Sequence, residues 1–235
     1  MERLDKIIST SLNISRNDAK ALIKKGFVSV DGKMVKSPND KADEKNSCII
    51  CQGKSIKYSK FVYIMMNKPK GVISAAEDGK EKTVIDILPE EMKRKNLFPA
   101  GRLDKDTTGF MLITDDGEFA HRILSPKNHI SKTYAVTLDK PFDDNVVKAF
   151  ENGIELKNDI CMPAEIISAS EDNKKAVVTI KQGMYHQIKR MFGKFGLNVV
   201  ELERIKMGGL ELDKVLGRGD CRYLTDAELK IIEGV

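Results

Sequence analysis

Apolar residues at the start of the chain recur with a helical period. Leu4, Ile7, Ile8 and Leu12 fall on one face, which predicts a first helix. Ser15 is a favourable N-cap, Asp18 suits the first turn, and Gly26 is a natural stop, so a second helix is predicted between them. Its apolar stripe is Ala19, Leu22 and Ile23, while Arg16, Lys20 and Lys24 are spaced i, i+4, i+8 and line another face. The pattern then turns to alternation. Residues 27–30 and 33–35 read as two strands about a two-residue turn at Asp31-Gly32, a hairpin signature. Residues 54–60 are polar and lack a helical period, so they read as a linker.

Beyond the linker, residues 61–66 form a strand-like apolar run that ends at the turn composition Asn67-Lys-Pro-Lys-Gly71. Residues 97–109 make a polar loop, followed by an apolar strand at 110–114. Asp115-Asp-Gly117 turns into a helix through Leu124. Residues 132–138 and 176–180 are further strands, 186–195 a helix stopped by Gly196, and 197–205 another strand. Thr225-x-x-Glu228 is a capping box for a last short helix. Strands outnumber helices without a regular βαβ alternation. The expected fold class is α+β: a small α/β module, then a domain with a mixed, mostly antiparallel sheet.

Length agrees with two modules, since 235 residues is long for one ordinary domain. Hydrophobic residues at 41% and charged residues at 32% indicate a globular chain able to bury a core. No apolar run approaches the roughly 18 residues of a membrane span. The N-terminus starts charged and turns amphipathic, unlike a leader peptide, so a cytoplasmic protein is expected. Charge is unevenly placed. Residues 1–60 hold 13 Lys+Arg against 7 Asp+Glu, a net of +6, while the rest of the chain sums to −1. A basic arm on a near-neutral body suits a nucleic-acid backbone; a solvated basic face is the plainer reading. A basic row on a helix beside a hairpin tracks phosphates without reading base edges.

Cys48 and Cys51 form a CxxC without a second ligand pair, inside a short apolar run; buried filler is favoured over metal or redox chemistry. His121, His129 and His186 are scattered, so no histidine metal cage is expected, and neither a P-loop nor a dinucleotide fingerprint is present. The Arg-Gly-Asp at 218–220 reads as coincidence. Asp104 and Asp106 stand two apart in a loop, where position alone favours solvated or turn-capping carboxylates.

Arg3-Leu-Asp-Lys-Ile-Ile, Ser15-Arg16, Lys24-Lys-Gly26 and Val28-Ser-Val-Asp-Gly-Lys33 resemble the S4 RNA-binding domain, over residues 1–53. That resemblance implies a module for structured RNA, with Arg3, Arg16, Lys20 and Lys24 as its RNA-binding candidates. It implies no chemistry.

Residues 61–235 carry a second resemblance. Ala100-Gly-Arg102-Leu-Asp104-Lys-Asp106-Thr-Thr-Gly109, followed by Leu112-Ile-Thr-Asp-Asp-Gly117, is similar to the active-site motif of pseudouridine synthases of the RluA/RsuA superfamily. Asn67-Lys-Pro-Lys-Gly71, Lys132-Thr-Tyr134, Gly183-Met-Tyr-His-Gln-Ile-Lys-Arg-Met-Phe192 and Leu202-Glu-Arg-Ile-Lys-Met-Gly-Gly-Leu210 resemble its other landmarks, in order. The resemblance implies cleavage of the N1–C1′ bond of a uridine in RNA, rotation of the base and rejoining through C5, with no cofactor and no metal. Asp104 would be the catalytic carboxylate, attacking the sugar or abstracting a proton as a glycal forms. An ionised carboxylate needs a cationic neighbour. Motif position assigns Lys189, with Arg190 next door as the alternative. Tyr134 would stack on the extruded uracil or be ordinary strand core. Arg102 would hold RNA phosphate or lock the loop. His186 is read as organising the loop or helix start rather than exchanging protons.

Tyr185-His-Gln-Ile-Lys-Arg-Met-Phe192 and Ser125-Pro-Lys127 are most similar to the family members acting on 16S rRNA at uridine-516. A 23S rRNA target is the alternative within the family, and a non-catalytic S4-type RNA-binding or assembly factor the alternative outside it. The expected partner is ribosomal RNA, 16S or an assembling small subunit, approached by a monomer with no membrane involved.

Overall fold

The structure is a computed structural model and describes residues 1–43, 46–56, 58–157 and 159–235. It divides into two compact units: residues 1–62 with 91–96, and residues 63–90 with 97–235.

In chain order the first unit runs β1 (Glu2–Arg3), α1 (Leu4–Ser11), α2 (Arg16–Lys24), β2 (Val28–Val30), β3 (Lys33–Val35), β4 (Lys41–Ala42), β5 (Ile49–Cys51) and β6 (Lys54–Ile56). The two amphipathic helices form as their periodicity predicts. Ser15 Oγ accepts from the Asp18 N–H and so satisfies one of the free donors at the start of α2. Asp31 and Gly32 take positive φ at 50° and 78°, the twist that a two-residue hairpin demands between β2 and β3. Leu4, Ile7, Ile8, Ala19, Ile23, Val28, Ala42, Ile49 and Cys51 close a common core. Cys51 is therefore buried packing, while Cys48 is exposed.

One boundary differs from the sequence reading. The linker expected at 54–60 begins with β6, which pairs with β5 through Ile49–Ile56 and Cys51–Lys54. Gln52 and Gly53 turn the chain with φ of 50° and 77°, so a hairpin forms where only polarity was visible. Lys57, also in that expected linker, lies outside the described residues, as do Glu44 and Lys45 of the S4-like segment.

In the second unit come β7 (Tyr63–Lys68), β8 (Phe98–Pro99), β9 (Thr108–Thr114), α3 (Gly117–Leu124), β10 (Lys132–Leu138), α4 (Asp144–Asn152), β11 (Ile154–Leu156), β12 (Asp159–Cys161), β13 (Glu165–Ser168), β14 (Lys175–Ile180), α5 (Gln187–Gly193), β15 (Val199–Met207), β16 (Leu210–Glu211), β17 (Cys221–Tyr223) and α6 (Asp226–Glu233). Nine strands form one sheet in the order β13-β14-β10-β15-β9-β7-β17, with β16 on β15 and β8 on β9. Only β15 and β9 run parallel among these pairs, so the sheet is mixed and mostly antiparallel. Every residue of β9 is buried, which explains its unbroken apolar run between two covered faces.

Met65, Phe110, Leu112 and Met207 pack against Phe119 and Ile123 of α3 and Leu229 and Ile232 of α6. Both helices start on side-chain caps. Asp116 Oδ1 accepts from the Phe119 N–H, and Thr225 with Glu228 completes a capping box. Tyr63 Oη donates to the other Asp116 oxygen at 2.6 Å; burial and that carboxylate push its phenol well up. The Arg-Gly-Asp segment is structural. Arg218 donates to both oxygens of Glu203 at 2.8 Å and to Asn67 Oδ1 at 2.6 Å.

Candidate active site

The loop between β8 and β9 carries Asp104, and its backbone is held from beneath. Lys68, the last residue of β7, is fully buried. Its ammonium donates to the carbonyl oxygens of Thr107 at 2.9 Å, Asp104 at 3.1 Å and Pro69 at 3.2 Å, with Lys105 O at 3.5 Å. Burial pushes the Lys68 pKa down to about 8, against Asp106 and Asp104, which favour the charge. The carbonyls converge on the ammonium as its hydration shell would, so we hold Lys68 to be a cation in the folded state near neutral pH. Ser74 grips the same loop, donating to Leu103 O and accepting from the Leu103 N–H.

The loop ends where β9 meets β15. Gly109 sits opposite Arg204 with φ of 97°. A β-carbon there would stand 2.3 Å from the Arg204 carbonyl oxygen, so only glycine permits the parallel pairing that closes the motif.

From the far side of the site, α5 presents its first turn. Lys189 Nζ lies 3.1 Å from Asp104 Oδ2 and 2.6 Å from Asp106 Oδ1. His186 Nε2 stands 3.4 Å from the other Asp104 oxygen. Arg190 turns away and pairs with Asp159 at 2.7 Å. Among the two cations that motif position left open, it is therefore Lys189 that faces Asp104. The Lys189 hydrogen bond holds Asp106 below the usual carboxylate range. Burial works against the charge of Lys189, but its bonds to Asp106 and Asp104 outweigh that and raise it.

Tyr134 stands on a different element from Asp104, Asp106 and Lys189. It is 8% exposed on β10, opposite Arg204, which is itself opposite Gly109. Its backbone is thus two strands from Gly109, roughly 10 Å at sheet spacing. Lys132 shares its strand face; burial depresses that ammonium to about 8, and Arg204 adds to the effect. Arg204 Nε donates to Phe110 O, while its Nη2 is buried without a hydrogen-bond partner. Arg102, in the same loop as Asp104, is exposed.

The remaining RNA-binding candidates belong to the first unit, and they divide. Lys24 is exposed and Lys20 half-buried. Arg3 and Arg16 instead close on Asp5, whose side chain is fully buried. Arg16 Nη2 donates to both of its oxygens at 2.7 and 2.8 Å, and Arg3 donates through Nε and Nη2 at 3.1 and 3.0 Å. Burial raises the Asp5 pKa, but the two guanidiniums more than reverse this and hold it low. Both arginines have a structural duty that their spacing did not reveal.

Sequence reading missed Lys68 and Asp106 as members of the site. The signals were present: a lysine at the end of an apolar strand, and a carboxylate two residues after Asp104. Only the fold shows that both face the same loop and the same cation. The Asp104 side chain is 27% exposed. A cavity of about 540 Å³ nearby is lined by Pro69, Thr108, Ala135, Glu203 and Arg218 rather than by Asp104. Among the described residues no cluster of His, Cys, Asp or Glu has the makings of a metal site.

Comparison with known proteins gives two family matches: RNA pseudouridylate synthase over residues 62–194, and S4 domain over residues 2–46. A Bacillus subtilis protein described as an uncharacterised RNA pseudouridine synthase, YtzG, is 42% identical, covering 98% of both chains. Ribosomal small subunit pseudouridine synthase A of Vibrio cholerae is 42% identical over 98% of this chain and 99% of that one; the Escherichia coli K12 protein of the same name is 40% identical over 97% and 98%. A crystal structure of a pseudouridylate synthase superposes with a TM-score of 0.68 at 35% identity, covering 99% of this chain and all of that one.

Proposed function

The chain belongs to the RNA pseudouridylate synthase family, with an S4 domain in front, and from that premise we propose that it isomerises one uridine of small-subunit ribosomal RNA, uridine-516 of 16S rRNA. It is an rRNA pseudouridine synthase. The observation that carries the site assignment is the 3.1 Å approach of Lys189 to Asp104 on a loop bolted down by Lys68.

The reaction breaks N1–C1′, turns the uracil and forms C5–C1′; the C5 proton leaves and N1 gains one, so the product is an isomer. Asp104 enters as a carboxylate, attacking C1′ or taking a sugar proton, and either task needs the ionised form. Lys189 sets a positive charge 3.1 Å from it, and Lys68 fixes the backbone on which it rides. Tyr134 is assigned to the face of the extruded base, since a uridine inside a helix is inaccessible to this chemistry. Lys20, Lys24 and Arg102 are assigned to phosphates. The small-subunit target rests on the names of the Vibrio and Escherichia relatives and on the run 185–192. A 23S uridine remains the second reading within the family. We further propose that the protein works in the cytoplasm, as a monomer. Among the described residues no helix is long and apolar enough to cross a membrane.

Tritium release from 16S rRNA labelled at uridine C5 tests the proposal. Wild-type protein releases label from one position, and Asp104→Asn releases none while binding RNA with nearly unchanged affinity. Release by the Asn variant at a substantial rate overturns the role of Asp104. Pseudouridine mapped to 23S rRNA alone overturns the target.

A further inference from the structure

Tyr185 is 75% exposed, yet it stands in a segment built to hold it still. Gln187, itself buried, accepts from the Met184 N–H, and its amide reaches Gln182, whose Oε1 also accepts from the Met162 N–H. Arg190 Nη1 donates to the Tyr185 carbonyl at 3.3 Å while its other arm is tied to Asp159. The Tyr185 ring lies flat on His186, with centroids 3.9 Å apart and planes 15° apart. His186 in turn reaches Asp104 through Nε2 at 3.4 Å.

Two features of this arrangement have no use in the fold. A tyrosine ring with one face on an imidazole and the other open to solvent buries little apolar surface. His186 adopts φ 48° and ψ 34°, a left-handed conformation that is unfavourable for a non-glycine residue. That conformation turns the imidazole under Tyr185 and its Nε2 toward Asp104 at once.

We propose that Tyr185, backed by His186, is a stacking platform for an unpaired RNA base next to the uridine at Asp104. This occupant rests on the proposed RNA-modifying function. A flat aromatic face accepts any base, and the Arg190 guanidinium holds the Tyr185 backbone in place beneath it. Extruding one nucleotide unstacks its neighbours, so a base beside the target needs a new partner at the moment the uridine enters the site. The His186–Tyr185 pair provides that partner one nucleotide's reach from the carboxylate. Tyr185 is then a binding residue, distinct from Tyr134, which lies on β10.

The chain contains no tryptophan, which makes a direct test available. Tyr185→Trp places a lone indole on the platform, and the Asp104→Asn change beside it prevents turnover. Titration of this full-length variant with naked 16S rRNA transcript, with binding followed in parallel by filter retention, is expected to quench the indole as RNA saturates. In kinetics on the same transcript, Tyr185→Ala is expected to raise KM about ten-fold, the effect of about one stacked base, with kcat within two-fold; Tyr185→Phe restores KM. An indole that stays bright with RNA fully bound, or an unchanged KM for Tyr185→Ala, overturns the platform. Failure of the function itself is a different result: wild-type protein that releases no tritium from rRNA.

Discussion

Lys189 grips Asp106 with both carboxylate oxygens, at 2.6 and 2.9 Å. Asp104 receives the same ammonium through one oxygen, at 3.1 Å. The cation next to the catalytic candidate is thus anchored by a second carboxylate, whose pKa it holds below the usual range. A lysine on a flexible stem is a mobile point charge, and the bidentate hold removes that freedom. Asp106 acts here through Lys189.

Removing the Lys189 charge is expected to cost at least 100-fold in kcat, because the carboxylate proposed to carry the chemistry loses its cation. Lys189→Met should do this, and Lys189→Arg should retain more activity. Arg190→Met should lose less than ten-fold, since Arg190 is committed to Asp159. The same Lys189→Met change lifts Asp106 from its depressed value toward the ordinary range, as a lost cation favours protonation. Carboxyl carbon NMR titration of Asp106 reads this, and a titration that does not move removes Lys189 as its partner.

In the first unit, charge and stability separate at neighbouring positions of α2. Lys20→Gln with Lys24→Gln is expected to leave the melting temperature nearly unchanged while lowering the slope of log affinity against log salt by about 2. Arg16→Gln leaves Asp5 buried with only Arg3, and should destabilise the unit by about 2 kcal/mol. Urea titrations and salt-dependent RNA binding of the two variants give the comparison. An Arg16 variant as stable as wild type would mean that Asp5 finds another donor.

Acid stability should depend on Glu228. Its pKa is lowered to about 2, first by Arg222, and further by the Thr225 cap, against burial. A carboxylate depressed in the folded state stabilises above its unfolded pKa, and that contribution is lost as pH falls through the folded value. Glu228→Gln should therefore cost roughly 2 kcal/mol at pH 7. Between the ordinary carboxylate range and pH 2 the gap to wild type should close. Denaturant melts at pH 7, 4 and 2.5 measure it, and a pH-independent gap would assign the loss to shape rather than charge.

Much of this molecule was legible in linear order. The period of Leu4, Ile7 and Ile8, the Ser15 and Thr225 caps, the Asp31-Gly32 turn and the apolar run of β9 all act within a few residues. Each formed as read. Segments that polarity alone described were read less well. Lys54–Ile56 is a strand because Ile49–Cys51 offers a free edge, and α4 to β13 had no reading at all. The motif around Asp104 was visible as a string of residues, and Gly109 within it gained its reason only from the Arg204 backbone 2.3 Å from a would-be β-carbon.

The sequence by itself determined the helix and turn signals, the basic first quarter, and the ordered motifs that place the chain among the pseudouridine synthases, because these depend on local chemistry and on residue order. Tertiary structure alone decided which cation meets Asp104, that Asp106 shares it, that Lys68 binds the loop's carbonyls, and that Arg3 and Arg16 serve a buried carboxylate. Those contacts join residues 83 apart in one case and 36 in another. Helical register, burial and the sheet order that sets β9 beside β15 determine them, and none of the three has a period or a spacing that a linear chain displays.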